Sequence, residues 1–364
     1  MRIYMVAFSE KGRALAEKIQ NISLSVDYGN VPCEGKKVQE KTIVYLREKE
    51  PLDVWVDLAF MQGMPLVFIG AAGIAVRAIA PFIEKKTVDS PVLVIDENAQ
   101  YVVPVLSGHL GGANELARQL AEGLHGHAVV TTATDCAGCF AVDLFAKKNC
   151  LRVFDDTRGI AAVSTQILQG NTVSVAVEHY SAQQLEQLRM PKELLPVDWE
   201  DFRQKKQDAI IVVTEEKELL QQAVLGLFPK KYVLGIGCRK GKSCVEIEQG
   251  LEEMLTRLKE QENICISKEE IAAIASIDVK ENEEGILALA QKMRVPFYVF
   301  TAGQLREVPG EYSSSGFVAE KVGVDNVCER AAVGAGDELL VKKQAADGVT
   351  FAIANRKWSV TFDE

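Results

Sequence analysis

The sequence has little positive charge relative to its negative charge and only four histidines. Among its 364 residues, 41 lysines and arginines stand against 51 aspartates and glutamates, which gives a formal net charge of −10. A balance of this sign argues against a nucleic-acid surface and against binding to anionic lipid. It does not exclude a polycarboxylate ligand, because basic side chains and backbone N–H groups can be gathered at one place.

Segments that would direct the chain into or across a membrane are also lacking. The apolar run in the N-terminal MRIYMVAFSEKG is too short for the hydrophobic core of a signal peptide. Residues 64–83 are apolar over about the length of a membrane span, but they include Arg77, two prolines and two glycines, which favour strand, turn and helix. We therefore expect a cytoplasmic protein.

Several motifs of metal, redox and nucleotide chemistry are missing. Cys136 and Cys139 form a C-x-x-C pair, but no second Cys or His pair at metal-site spacing accompanies it, so we expect reduced cysteines and no protein metal site. Residues 237–243 place three residues between glycines where a Walker A loop has four. No G-x-S-x-G elbow is present, so a covalent serine nucleophile is not expected.

One stretch combines a glycine-rich turn with several functional side chains. The turn SGHLGG at 107–112 separates a β-rich run from a helix with apolar periodicity. Three glycines at a strand-to-helix turn let backbone N–H groups come close to a ligand and point at it. The sequence therefore predicts an anion-binding active-site loop. The alternative is a turn that only joins two elements and holds a satisfied or solvated histidine.

His109 is the best catalytic candidate in this stretch, because imidazole titrates near neutral pH and passes protons in either direction. Asp135 and Asp96 are each predicted at the end of a strand, where an α/β sheet places its ligand crevice, so either is expected to orient His109 or a water. Asp135 is the one taken as a catalytic candidate. Glu115, in the first turn of the helix, is the third catalytic candidate. The predicted substrate-binding residues of this stretch are Ser107, Gly108, Gly111, Gly112 and Asn114.

Other loops have the composition of anion sites. Gly73 and Arg77 open a helix after an apolar strand and are predicted to bind substrate carboxylates; a packing loop with a solvated arginine is an equal alternative. A cationic turn at a later helix start contributes Gly237, Arg239 and Lys242 to the predicted substrate-binding set. Residues 313–316, Ser-Ser-Ser-Gly, are either a further donor loop or a plain helix cap.

The alternation of apolar strands and amphipathic helices predicts a multidomain α/β protein. We expect an N-terminal layered α/β domain over 1–135, a middle α/β segment over 136–229 and a smaller C-terminal α/β domain over 230–364. A hairpin of 92–95 with 101–106 makes the N-terminal sheet mixed. Residues 181–207 are polar, without periodicity, and are predicted to form an exposed excursion.

Several stretches together resemble the CbiG family of anaerobic cobalamin biosynthesis. They are SGHLGGANELA, GIAVRAIAP and VLVIDENAQYVVPVL in the first part of the chain, and LGIGCRKGKS and VGVDNVCERAAV in the last part. The last part also resembles CobE, a related free-standing protein of the aerobic pathway. The middle, about 150–229, matches weakly.

The resemblance implies the activity of a cobalt-precorrin-5A hydrolase. Members of the family open the δ-lactone of this tetrapyrrole with water, release acetaldehyde and give cobalt-precorrin-5B, a hydrolysis that breaks a carbon–carbon bond. The resemblance further implies no protein cofactor, since cobalt arrives with the substrate, and possible partners among other cobalamin enzymes. A non-catalytic protein that binds or hands over a corrinoid precursor is the alternative.

Overall fold

The computed structural model describes residues 1–29, 31–38, 42–85, 88–154, 158–313 and 323–362. The chain forms two compact units: unit 1 comprises Met1–Asp27, Lys41–Pro229 and Val360–Glu364, and unit 2 comprises Tyr28–Glu40 and Lys230–Ser359. The sequence division into 1–135, 136–229 and 230–364 differs from this in three ways. The first two segments share one unit, residues 28–40 belong to the unit of the C-terminal segment, and Val360–Glu364 belongs to unit 1.

Unit 1 contains two mixed sheets. The first has the order β3-β1-β4-β5-β6-β7, and the second has the order β10-β9-β11-β12-β8. The strands of the first sheet are β1 (Arg2–Ala7), β3 (Ile43–Leu46), β4 (Leu66–Ile69), β5 (Val92–Ile95), β6 (Tyr101–Leu106) and β7 (His127–Ala128). Those of the second are β8 (Leu151–Val153), β9 (Val173–Val177), β10 (Leu194–Val197), β11 (Ile211–Val213) and β12 (Leu225–Pro229). The predicted hairpin is confirmed, because β5 and β6 pair antiparallel.

The described helices of unit 1 cover and connect these sheets. They are α1 (Glu10–Ile19), α2 (Leu52–Met61), α3 (Ala72–Ile79), α4 (Ala113–Leu124), α5 (Ala133–Ala137), α6 (Val142–Lys148), α7 (Arg158–Leu168), α8 (Ala182–Gln187), α9 (Trp199–Arg203) and α10 (Lys217–Leu220), with a 3-10 turn at Ala80–Phe82. The helices α5 and α6 follow the last strand of the first sheet and lead into the second.

The prediction of an exposed excursion over 181–207 is wrong. Strand β10 pairs parallel with β9, and Trp199 and Phe202 of α9 are buried in an apolar cluster with Val212. Polar residues dominate the composition of this segment because α8 and α9 are short and expose most of their surface. The few apolar side chains are nevertheless enough to fix the segment on the second sheet.

Unit 2 holds one six-stranded mixed sheet of order β16-β17-β13-β14-β15-β2. Its strands are β2 (Lys36–Lys37), β13 (Tyr232–Cys238), β14 (Ile271–Ile277), β15 (Phe297–Phe300), β16 (Glu338–Ala346) and β17 (Val349–Asn355). Its described helices are α11 (Cys244–Gln261), α12 (Glu284–Met293), α13 (Ala302–Glu307) and α14 (Cys328–Ala335), with 3-10 turns at Lys268–Glu270 and Asp278–Lys280. The predicted donor loop at 313–316 lies outside the described residues after Ser313.

The multidomain α/β class expected from the sequence is confirmed. Among the described helices, none combines the length and the apolar character needed to cross a bilayer.

Helix α4 fixes the glycine-rich loop that precedes it. Its side chains at i, i+3 and i+4 spacing face the first sheet, where Leu116 and Leu120 are fully buried beside Ile95 and Val102. The opposite face carries the exposed Glu122. The loop at 107–112 therefore runs from the end of strand β6 to a helix whose inner face is buried, so its backbone has little freedom.

Leu116→Ala should lower the free energy of unfolding of unit 1 by about 2–5 kcal/mol, because it leaves a cavity under α4. Glu122→Ala on the exposed face of the same helix is the control and should change stability by less than about 0.5 kcal/mol. Denaturant unfolding of the intact chain measures both, and equal stability of the two variants would contradict the packing of α4 described above.

Candidate active site

The loop between β6 and α4 is folded tightly on itself. Ser107 has φ 56° and Gly112 has φ 86°, both in the left-handed region. A Cβ at Gly111 would lie 2.5 Å from the Cβ of Ser107, so only glycine fits there. The Gly112 N–H donates to His109 O at 3.0 Å and the Asn114 N–H donates to Gly108 O at 3.0 Å. These two N–H groups are therefore engaged within the loop, although the sequence predicted that such groups would face a ligand.

This folding directs the imidazole of His109 into the protein, between two carboxylates. His109 Nδ1 lies 2.9 Å from both carboxylate oxygens of Asp143 on α6. His109 Nε2 is hydrogen-bonded to Asp135 Oδ2. The side chains of His109 and Asp143 are each 6% exposed and that of Asp135 is 13% exposed. Because an ionised carboxylate only accepts hydrogen bonds, both ring nitrogens must carry protons to satisfy both partners.

The carboxylate of Asp135 accepts hydrogen bonds from two residues in addition to His109. Arg118 Nη2 donates to Oδ1 at 2.5 Å, and Asn114 Nδ2 donates to Oδ2 at 2.9 Å. Asn114 Nδ2 also donates to Thr132 Oγ1 at 2.9 Å. Asn114 and Arg118 are four residues apart on α4 and so lie on one face of that helix. Asp135 itself lies in the short helix α5, and the sequence prediction that it ends a strand is wrong.

The two carboxylates set the charge of the imidazole. Burial by itself lowers the pKa of His109, but the hydrogen bonds and negative charges of Asp143 and Asp135 oppose burial and raise that pKa above its ordinary value. For Asp135, burial raises the pKa, but the hydrogen bonds from His109 and Arg118 outweigh it, so the pKa lies below its ordinary value. The pair therefore favours a protonated imidazole beside an ionised carboxylate.

A cleft of about 820 Å³ opens beside Asp135 within unit 1. Its aromatic and aliphatic lining includes Phe140, Leu144, Phe145 and Phe362. Its charged lining is Asp27, Glu115, Asp135, Lys147, Lys148, Arg189, Lys192 and Glu193. A volume of this size is typical of small-molecule sites. Asp135 lines this cleft and is hydrogen-bonded to His109, so it lies between the buried histidine and the cleft.

Glu115, predicted to be catalytic, lies on the wall of the cleft. Its Oε2 accepts from Lys147 Nζ at 3.4 Å, and its Oε1 accepts from Gln119 Nε2 at 3.2 Å and from the Asp27 N–H at 3.4 Å. Its described partners are thus different from those of His109 and Asp135. Ser107 donates through Oγ to Asp89 O at 2.9 Å, so its hydroxyl anchors the loop.

The remaining predicted binding residues lie outside this cleft. Arg77 is exposed on α3, and its Nη1 donates to Gly73 O at 3.3 Å. The turn of unit 2 is paired internally: Lys242 Nζ donates to Glu246 Oε1 at 2.8 Å, and the Arg239 N–H donates to Gly348 O at 3.0 Å. The hydroxyl of Thr350 donates to Gly237 O at 3.1 Å. Their part in substrate binding stays a prediction.

Asp143 was missed by the sequence analysis. A possible signal was its position in the apolar run from Phe140 to Phe145, since a carboxylate among apolar residues is seldom buried without a partner. Within the described part of the chain, no group of three or more His, Cys, Asp or Glu side chains has an arrangement that could hold a metal ion.

Asp143→Asn should lower the pKa of His109, because it removes one of the two negative charges that oppose the effect of burial. An NMR titration of the imidazole C–H resonances measures this change. The exposed His125, which lies outside this site, provides the internal reference resonance. An unchanged His109 titration in a folded variant would mean that Asp143 does not set the charge of the imidazole.

The chain is similar to proteins of one family along most of its length. Residues 54–135 match the family description Cobalamin synthesis G N-terminal, and residues 232–354 match Cobalamin synthesis G C-terminus. The cobalt-precorrin-5A hydrolase of Salmonella typhimurium strain LT2 is 35% identical over 298 residues, covering 81% of this chain and 83% of that protein. The cobalt-precorrin-5A hydrolase of Priestia megaterium is 32% identical over 310 residues, covering 79% and 78%.

Among solved structures, that of CobE, a protein from the cobalamin (vitamin B12) biosynthetic pathway, has 29% sequence identity to this chain. It covers 35% of this chain and 92% of that one, with a TM-score of 0.31. The identity to the Salmonella protein over 81% of the chain, together with both domain matches, shows that this chain belongs to the CbiG family.

Proposed function

We propose that this chain is a cobalt-precorrin-5A hydrolase, which opens the δ-lactone of its substrate with water and releases acetaldehyde to give cobalt-precorrin-5B. The curated relatives of the same family carry the name cobalt-precorrin-5A hydrolase. The observation that carries the proposal is the hydrogen-bonded His109–Asp135 pair beside the cleft of unit 1. Hydrolysis of a lactone needs a base for water and an acid for the departing oxygen, and this pair contains both.

The roles follow from the opposite directions of the two pKa shifts. Asp135 has a lowered pKa and is ionised, so it is the group that accepts a proton from the attacking water. His109 has a raised pKa and is protonated, and Asp135 lies between it and the cleft. It is therefore the source of the proton for the leaving lactone oxygen, and Asp135 relays that proton. Titratable neighbours whose environments separate their pKa values commonly divide acid and base roles in this way.

The supporting residues keep the pair in this state. Asp143 holds Nδ1 of His109 and balances its charge, as the buried carboxylate of a catalytic triad does. Arg118 and Asn114 hold the carboxylate of Asp135 in one orientation and favour its ionised form. Their positions are fixed by α4, whose inner face is buried against the first sheet.

The reaction then proceeds in two steps. Water attacks the lactone carbonyl, Asp135 takes its proton, the acyl–oxygen bond breaks, and the ring oxygen leaves as a hydroxyl with the proton from His109. In the second step the freed hydroxyl loses its proton to the now neutral His109. The carbon–carbon bond to the macrocycle breaks, acetaldehyde leaves, and the electron pair and a proton from Asp135 pass to the macrocycle. This makes the enzyme a hydrolase acting on a carbon–carbon bond.

The substrate brings the metal. Cobalt is bound in the centre of the tetrapyrrole, so the residues of the chain are required only to bind carboxylate arms and to move protons. We propose that no further cofactor is needed. We propose also that the reactive lactone faces Asp135, which is the member of the His109–Asp135 pair that lines the cleft.

His109→Gln should lower kcat for acetaldehyde release from cobalt-precorrin-5A by roughly 10²–10⁴-fold, because it removes the proton donor. Asp135→Asn should lower kcat by a factor of the same order, because it removes the base. His125→Gln changes an exposed histidine at the end of α4 and is the matched control, with wild-type kcat expected. A coupled alcohol dehydrogenase assay follows acetaldehyde, and thermal unfolding checks that each variant is folded.

A folded His109→Gln protein within a few-fold of the wild-type rate would remove His109 from the chemistry. Binding of cobalt-precorrin-5A by the wild type without any release of acetaldehyde would support a carrier of the macrocycle and contradict the proposed hydrolase.

A further inference from the structure

We propose that the wall of the unit 1 cleft recognises the macrocycle itself, with Arg189 and Lys192 of the middle segment binding its peripheral carboxylates. This inference rests on the proposed function. It gives a role to the loop between α8 and β10, which lies in the part of the chain where the sequence resemblance is weak.

The first support is the apolar side of the cleft. Phe145 and Phe362 stack with ring centroids 4.9 Å apart and planes inclined by 13°, and Phe140 lies 5.7 Å from Phe145. Leu144, which is 40% exposed, lines the same space. Phe145 and Phe362 are only 6% and 8% exposed, so they back the wall, while the partly exposed Phe140 and the exposed Leu144 offer apolar surface that fits the face of a tetrapyrrole.

The position of Phe362 is fixed by a reciprocal clamp. The Asn149 side chain donates through Nδ2 to Thr361 O at 2.9 Å and accepts through Oδ1 from the Thr361 N–H at 2.7 Å. Asn149 is itself 5% exposed. The segment at 360–362 is thereby held against α6 in unit 1, which is a preformed wall for a ligand.

The second support is the distribution of charge around this wall. Lys147 and Lys148 come from the last turn of α6, and Arg189 and Lys192 come from the loop before β10. Four carboxylates share the lining, but Asp135 is bound by Arg118 and Glu115 is bound by Lys147. The lining therefore holds four cations and four carboxylates, and Arg189 and Lys192 are its two cations from the loop before β10.

The third support is the exposure of Arg189 and Lys192. They line the cleft from the loop between α8 and β10, which is distant from α6 along the chain. Both side chains are exposed to solvent, so a carboxylate arm can reach them without removing a buried charge. A guanidinium binds a carboxylate with two parallel hydrogen bonds, and an ammonium binds it as a point charge. Together with the aromatic wall, they match a substrate that is apolar on its face and anionic at its rim.

The test compares two charge-matched double variants of the intact chain. Arg189→Gln with Lys192→Gln removes two cations from the cleft. Lys205→Gln with Lys206→Gln removes two exposed cations of the same middle segment that do not line it. Lys205 follows α9 with φ 56° and Arg189 follows α8 with φ 55°, so the backbone setting is also matched.

In steady-state acetaldehyde release, the cleft variant should raise KM for cobalt-precorrin-5A about tenfold or more while kcat stays within a few-fold of wild type. The control variant should keep both constants. Added salt should raise the KM of wild type more than that of the cleft variant, because the lost interaction is between charges. Equal KM values for the cleft and control variants would overturn the inference while leaving the proposed function intact.

If the wild type releases no acetaldehyde, the proposed function fails and the wall is still tested by binding. Equilibrium dialysis with cobalt-precorrin-5A, followed by its visible absorption, should then show about tenfold or more weaker binding to the cleft variant alone. Equal affinity of the two variants would overturn the inference on this measurement as well.

Discussion

The buried imidazole of His109 and its two carboxylate partners form the interaction on which the site depends. Burial favours the neutral ring, and the charges of Asp143 and Asp135 reverse that preference. A buried charge that loses its partner typically costs about 3–5 kcal/mol, so the three groups must be brought together by the fold and kept there. The glycine-rich loop, α5 and α6 each supply one member, and none of the three elements can shift without exposing or uncoupling a charge.

Helix α4 meets this constraint with one buried face and one functional face. Leu116 and Leu120 fix the helix on the first sheet, while Asn114 and Arg118 reach Asp135. The same helix therefore terminates the loop that carries His109 and orients the carboxylate that receives its hydrogen bond. Because α5 and α6 continue from the first sheet toward the second, the pair lies where the chain passes from one sheet of unit 1 to the next. The cleft lies at the same place, since Asp135 and residues of α6 line it.

The sequence predicted the centre of the site because glycine, histidine and aspartate are distinctive in type and spacing. His109, Asn114 and Asp135 come together in the structure as their placement around one loop suggests. The position of Asp135 was misassigned because β7 ends at Ala128 and a short helix follows, a change that apolar periodicity over a few residues does not reveal. Asp143 was missed because its contact with His109 spans 34 residues, and residue patterns along a chain do not encode pairing at that range.

Other features depended on tertiary contacts that sequence patterns carry weakly. The lysines of β2 form a strand because β15 offers an edge for pairing, although lysine itself has a low preference for strands. In the middle segment, a few buried aromatic residues such as Trp199 outweigh a polar composition. The cleft wall contains residues from α6, from the loop before β10 and from positions 361 and 362 near the C-terminus, which are far apart along the chain.

The pH dependence of kcat/KM for acetaldehyde release by the wild-type enzyme tests the acid and base roles most directly. With ionised Asp135 as base and protonated His109 as acid, activity should be lost on the alkaline side through a pKa above the ordinary histidine value of about 6.5. On the acid side, activity should persist until the pH falls through a pKa below the ordinary aspartate range. A rate that instead rises with pH through a pKa near 7 and stays high in alkali would contradict the account, because the histidine would then be needed in its neutral form.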